Sequence, residues 1–146
     1  MLQPADNVHV LSSLPHGPEF RFVDEVTALT PGLEASARWT LKGDEAFLAG
    51  HFPGQPLLPG VIMIEALAQL GGILAQSERP IRPLRNLRLT AVRQFKVFGT
   101  ISPGETLNLQ ARLEGKMPGL IQVRGDVFSA DGAQLATGVI VLSGEE

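Results

Sequence analysis

Between Val61 and Ala75 the chain is apolar on every side. A helix of that kind belongs in an interior, because no single face of it tolerates water. Only Glu65 and Gln69 interrupt the run with clearly polar side chains, and four residues apart they share one helical face. A carboxylate in such surroundings is costly unless it is paired, so buried glutamates are rare without a role. The start of the helix can be placed as well. Pro59 is tolerated in a first turn, and Gly60 permits close backbone approach. The segment is too short, and too broken by Gly71-Gly72, to span a bilayer.

The rest of the chain has to cover that helix, and its pattern is that of strands. Leu33, Ala35, Ala37, Trp39 and Leu41 alternate with Glu34, Ser36, Arg38 and Thr40. Leu107, Leu109, Ala111 and Leu113 alternate with Asn108, Gln110 and Arg112 in the same way. This is the period of a half-buried strand. Segments 20–29, 87–98, 120–129 and 133–143 also read as strands, with turns at Pro31-Gly32, Pro103-Gly104, Pro118-Gly119 and Asp131-Gly132. Short links between the last four predict an antiparallel meander. The expected architecture is an α+β domain in which a curved antiparallel sheet wraps one long central helix. Neither a repeat nor a linker divides residues 1–146, so a single domain is expected.

Composition narrows the function. A net charge of -3 argues against a general nucleic-acid binder. With no cysteine, thiolate metal sites, disulfides and cysteine nucleophiles are excluded, and a reducing cytoplasm fits. The first residues lack a basic stretch followed by an apolar run, so no signal peptide is read. His9, His16 and His51 lack metal-ligand spacing, and the nucleophile elbow of serine hydrolases is missing. No metal or organic cofactor is expected.

Fourteen residues before Glu65, His51 sits in the Pro/Gly-rich loop Gly50-His-Phe-Pro-Gly54. An imidazole titrates near working pH and suits proton abstraction, while a carboxyl can serve as the acid. The N–H groups of Gly60, Val61 and Ile62, at the positive end of the helix, are placed to receive an anion or a developing oxyanion. His16 and Asp24 read as structural residues of the opening turn.

These residues resemble the short FabZ-type 3-hydroxyacyl-(acyl-carrier-protein) dehydratases, which have the hot-dog fold. Leu14-Pro-His16 with Phe20, Val23 and Asp24 looks like the opening of that family. Gly50-His-Phe-Pro-Gly54, Pro59-Gly60 and Glu65-Ala-Leu-Ala-Gln69 match its active-site signature without a gap, while Phe95 and Pro103-Gly104-Glu105 match a later segment loosely. The resemblance implies that His51 and Glu65 are catalytic, and that the Gly60 amide, followed by that of Val61, polarises the thioester carbonyl. It also implies that the Leu57 carbonyl orients His51 and that Gln69 lies near the carboxylate. It implies a homodimer in which His51 of one chain meets Glu65 of its neighbour, and two assemblies stay open, the dimer itself and a trimer of dimers. Two divisions of labour stay open: Glu65 delivers the leaving-group proton, or His51 shuttles both protons while Glu65 and Gln69 hold the departing water. Glutamate rather than aspartate at position 65 favours dehydration without isomerisation. Gly17-Pro18-Glu19 and Lys96 to Ile101 depart from the usual pattern, so both a housekeeping fatty-acid substrate and a specialised lipid or polyene one stay open.

Arg79, Arg82, Arg85, Arg88, Arg93 and Lys96 follow one another with no intervening acid. Acyl carrier proteins are acidic, so Arg82, Arg85 and Arg88 are candidates for docking the carrier. An ordinary solvated face is the plainer reading of the same run. Two other functions fit the same fold, a non-catalytic acyl-binding or assembly subunit and a thioesterase. The intact His51 and Glu65 argue against the first, and their spacing against the second.

Overall fold

The computed structural model describes residues 4–79 and 82–146. Its elements run α1 (Pro4–Leu11), β1 (Glu25–Thr30), β2 (Glu34–Thr40), α2 (Gly60–Gln76), β3 (Arg85–Val97), β4 (Thr106–Met117), β5 (Leu120–Ser129) and β6 (Gln134–Glu145). Short 3-10 turns at Pro18–Phe20 and Ala46–Ala49 precede β1 and the His51 loop. The six strands form one sheet, antiparallel throughout, in the order β1-β2-β4-β5-β6-β3.

The helix lies on the sheet and contacts β2, β3, β4, β5 and β6, so the sheet bends around it. Met63, Ala66, Leu67, Leu70, Ile73 and Leu74 are fully enclosed. Facing them are Ala35, Ala37 and Trp39 of β2 and Leu107, Leu109 and Ala111 of β4, the apolar members of the two alternating runs. A glycine pair permits two close approaches, one between helix and sheet and one between neighbouring strands. Gly125 and Gly138 lie opposite each other on β5 and β6. A Cβ on Gly125 would sit 2.6 Å from Leu67 Cδ1, and one on Gly138 would collide with the Phe95 ring. Among the described residues no helix is long and apolar enough to cross a membrane.

Three features differ from the expectations above. First, β4, β5 and β6 form a meander but β3 does not join it; β3 pairs with β6 at the sheet edge, and β4 pairs with β2. The link over 98–105 accounts for this. Ile101 is buried and its carbonyl accepts from Leu58 N–H, while Gly104 N–H donates to the Leu41 carbonyl and Leu41 N–H donates to the Glu105 carbonyl, tying the link to the end of β2. The link thus crosses the end of the sheet and delivers β4 alongside β2. Second, residues 20–24 are not strand: the Phe22 N–H is taken by the Gln69 side chain rather than by a neighbouring strand. Third, α1 was not anticipated. It is secured by Asn7, whose Oδ1 accepts from Val26 N–H at 2.6 Å.

Candidate active site

Two groups of residues stand at different places on the same molecule. The first surrounds the start of α2. Leu57 N–H donates to the His51 carbonyl at 2.9 Å, and the Leu57 carbonyl in turn faces His51 Nδ1 at 2.9 Å. A carbonyl can only accept, so Nδ1 carries the proton and the neutral ring presents Nε2 as a lone pair. The ring stacks on Phe52, centroid to centroid 4.0 Å. The loop is fastened at its far end by Leu58, whose carbonyl accepts from Thr100 Oγ1 at 2.7 Å. Ahead of it, the Glu45 carboxylate accepts from the Lys42 and Gly43 N–H groups. Partial burial pushes the Glu45 carboxyl up, but these backbone bonds outweigh it and leave it below the usual carboxylate range.

Pro59 caps α2 in an extended conformation without a side-chain bond. Ile62 N–H donates to the Pro59 carbonyl at 3.0 Å, so it is not available to an anion as expected from the sequence. The N–H groups of Gly60 and Val61 have no such partner among the described residues. They stand where a helix presents positive charge.

The second group lines a cavity of about 460 Å³ between α2, the segment over 13–16, and β3. Glu65, Gln69 and His16 stand together in its wall, with Arg88 on the β3 side. Leu84, Leu87, Leu89 and Leu142 extend it as an apolar channel. His51 is not among the residues that line it. One turn of α2, about 6 Å of helix, separates Val61 from Glu65 on the same face.

Gln69 is only 1% exposed and uses its whole amide. Oε1 accepts from Phe22 N–H at 2.8 Å, and Nε2 donates to the Phe20 carbonyl at 2.8 Å and to Glu65 Oε2 at 3.2 Å. It therefore clamps the segment before β1 to the helix while steadying the carboxylate. Gln69→Leu leaves the Phe22 N–H and the Phe20 carbonyl without partners. The expected loss in urea unfolding is about 2–4 kcal/mol. A loss below about 1 kcal/mol would mean that this segment relaxes into water.

The described cations divide cleanly. Arg38, Lys42, Arg79, Arg112, Lys116 and Arg124 each face a carboxylate. Those left without one are Arg21, which donates to the His16 carbonyl, and the run Arg82, Arg85, Arg88, Arg93 and Lys96. Arg79 thus drops out of the basic stretch, paired with Glu146. Among the described residues, no cluster of three or more His, Asp or Glu could hold a metal ion.

His16 is the residue that spacing in the sequence did not single out. It reaches the cavity because the Gln69 clamp folds the segment before β1 back over α2. The nearest signal was Leu14-Pro-His16, which marks a turn but not what the turn faces.

Comparison with known proteins adds the family. Residues 14–144 match the model of the FabA-like domain. A curated 3-hydroxyacyl-(acyl-carrier-protein) dehydratase FabZ from Herpetosiphon aurantiacus is 32% identical over 133 residues, covering 87% of this chain and 94% of the relative. Its namesake from Myxococcus xanthus is 35% identical over 130 residues, covering 88% and 84%. Among solved structures, the dehydratase heterocomplex ApeI:P from Xenorhabdus doucetiae aligns over all of this chain and 93% of that one, with TM-score 0.78 at 20% identity. The Escherichia coli PaaI protein aligns over 97% and 93%, with TM-score 0.71 at 10% identity. These neighbours share the hot-dog architecture of sheet and central helix.

Proposed function

This chain belongs to the FabA-like family, and from that premise we propose how its residues remove water from a 3-hydroxyacyl thioester carried on acyl carrier protein. The enzyme is a dehydratase of fatty-acid or related lipid synthesis, and its product is the trans-2-enoyl thioester. His51 Nε2 takes a proton from the carbon next to the thioester carbonyl. Negative charge gathering on the carbonyl oxygen is met by the Gly60 and Val61 N–H groups. The carbon–oxygen bond at C3 breaks as Glu65 protonates the departing hydroxyl. The C2–H and C3–O bonds are exchanged for a C2–C3 double bond and one water. The observation that carries this reading is the Leu57 carbonyl on His51 Nδ1, which leaves Nε2 free to act as a base.

The active unit is a dimer. His51 lies outside the cavity of Glu65, and a patch of exposed apolar side chains surrounds the start of α2. Phe52 is 51% exposed, Val61 67%, Val97 50% and Phe98 59%. A second copy covers this patch and brings its Glu65 to His51; three such dimers then form the larger assembly. The cytoplasm, where acyl carrier protein is encountered, is the expected compartment.

The test is formation of the enoyl thioester, followed by absorbance, from a 3-hydroxyacyl carrier substrate. No enoyl product with intact carrier-bound substrate would leave an acyl-binding subunit; release of the free acid would identify a thioesterase. The carrier's acidic surface is received by Arg82, Arg85 and Arg88, none of which is ion-paired among the described residues. Replacing all three by Ala is expected to raise KM for the carrier-bound substrate about tenfold, with little effect on a small thioester mimic. The difference should shrink as salt rises. Equal losses on both substrates would mean that these arginines do not steer the carrier.

A further inference from the structure

We infer that His16 is a positioning residue for Glu65, aiming one carboxylate oxygen into the cavity by engaging the other. This rests on the dehydratase reading above and adds to it a residue outside the His51–Glu65 pair. His16 Nε2 lies 3.6 Å from Glu65 Oε2, and both side chains line the same cavity. The other ring nitrogen settles which way the imidazole acts. Nδ1 is buried and has no hydrogen-bond partner among the described residues. A proton there would be stranded, whereas a proton on Nε2 faces a carboxylate oxygen. Nε2–H is thus the donor side.

The ring has little freedom to turn away. It stacks on Phe20, with centroids 6.1 Å apart, and Phe20 packs edge-on against Phe22, which meets Trp39 and Phe47 in the core. The His16 carbonyl accepts from Arg21 Nε at 2.9 Å. Glu65 Oε2 therefore accepts a hydrogen bond from Gln69 Nε2 on the helix at 3.2 Å and has His16 Nε2 of the opening segment beside it at 3.6 Å, within ion-pair range. Oε1 has no partner among the described residues and is the oxygen left for the substrate hydroxyl. A carboxyl bonded through one oxygen and flanked there by an imidazole has restricted rotation, and misplacement by about 1 Å costs on the order of 100-fold in rate.

Two substitutions separate positioning from packing. His16→Gln carries an amide N–H to about the place of Nε2, whereas His16→Asn is too short to reach Glu65. Both are assayed with the wild type, and both are rebuilt in the Glu65→Ala background. The expected result is a fall in kcat of about 10-fold or more for His16→Asn with KM little changed, and a smaller fall for His16→Gln. In the Glu65→Ala background neither substitution should cost anything further, because the residue through which His16 acts is gone. Equal activity of the Asn and Gln variants, or the same fractional loss with and without Glu65, would overturn the inference while leaving the dehydratase reading intact. An inactive wild type would overturn both.

Discussion

His51→Ala is expected to lower kcat/KM for enoyl formation by about 10²–10⁴-fold, the usual cost of losing a general base. The fold should survive almost untouched. The ring makes one hydrogen bond, to the Leu57 carbonyl, and one stack, on Phe52, which is itself half exposed. Losing that bond costs about 0.5–1.5 kcal/mol, so the melting transition should move little. A variant keeping more than about a tenth of wild-type kcat/KM would sink the assignment of His51 as base. The same substitution leaves Gly60 and Val61 in place, so substrate binding should persist while turnover disappears.

Mixing His51→Ala chains with Glu65→Ala chains, each reduced to a small residual rate, should restore activity. If each site takes His51 from one chain and Glu65 from the other, a mixed dimer holds one doubly damaged site and one intact site. Random exchange makes about half of the dimers mixed, so roughly a quarter of wild-type activity returns, given that each single variant has lost nearly all its rate. If both residues served within one chain, no mixed dimer would have an intact site. Demonstrated subunit exchange without recovery rules out the shared site. The geometry behind the expectation is the cavity lined by Glu65, Gln69 and His16 but not by His51, beside an exposed apolar patch at the start of α2.

What could be read from the sequence was whatever depends on neighbours along the chain. The helix expected over 61–75 forms over Gly60–Gln76, because an apolar run behind Pro59-Gly60 has few alternatives. The alternating runs became β2 and β4, with Ala35, Ala37, Trp39, Leu107, Leu109 and Ala111 all facing inward. The position of β3 was not legible, since it is set by the 98–105 link crossing the end of the sheet rather than by any pattern in Arg85–Val97 itself. Residues 20–24 looked like strand because apolar residues such as Phe22 and Val23 are buried there, yet the Phe22 N–H is taken by a side chain 47 positions away. The site divided in the same way. His51 and Glu65 announce themselves by spacing and surroundings, whereas the meeting of His16 with Glu65 exists only once the Gln69 clamp has closed.

The strand order also has a consequence in time. During synthesis α2 emerges before β3, β4, β5 and β6, four of the five strands that cover it, and β3 emerges long before β6, the strand it pairs with. At about 5–20 residues per second the nascent chain carries an uncovered apolar helix and an unpaired strand for several seconds. During that interval Arg85, Arg88, Arg93 and Lys96 give the waiting strand a single sign of charge, which discourages it from adding to a like strand on another ribosome. The same run that is proposed to greet the acidic carrier in the finished enzyme would then first protect the chain while it is being made.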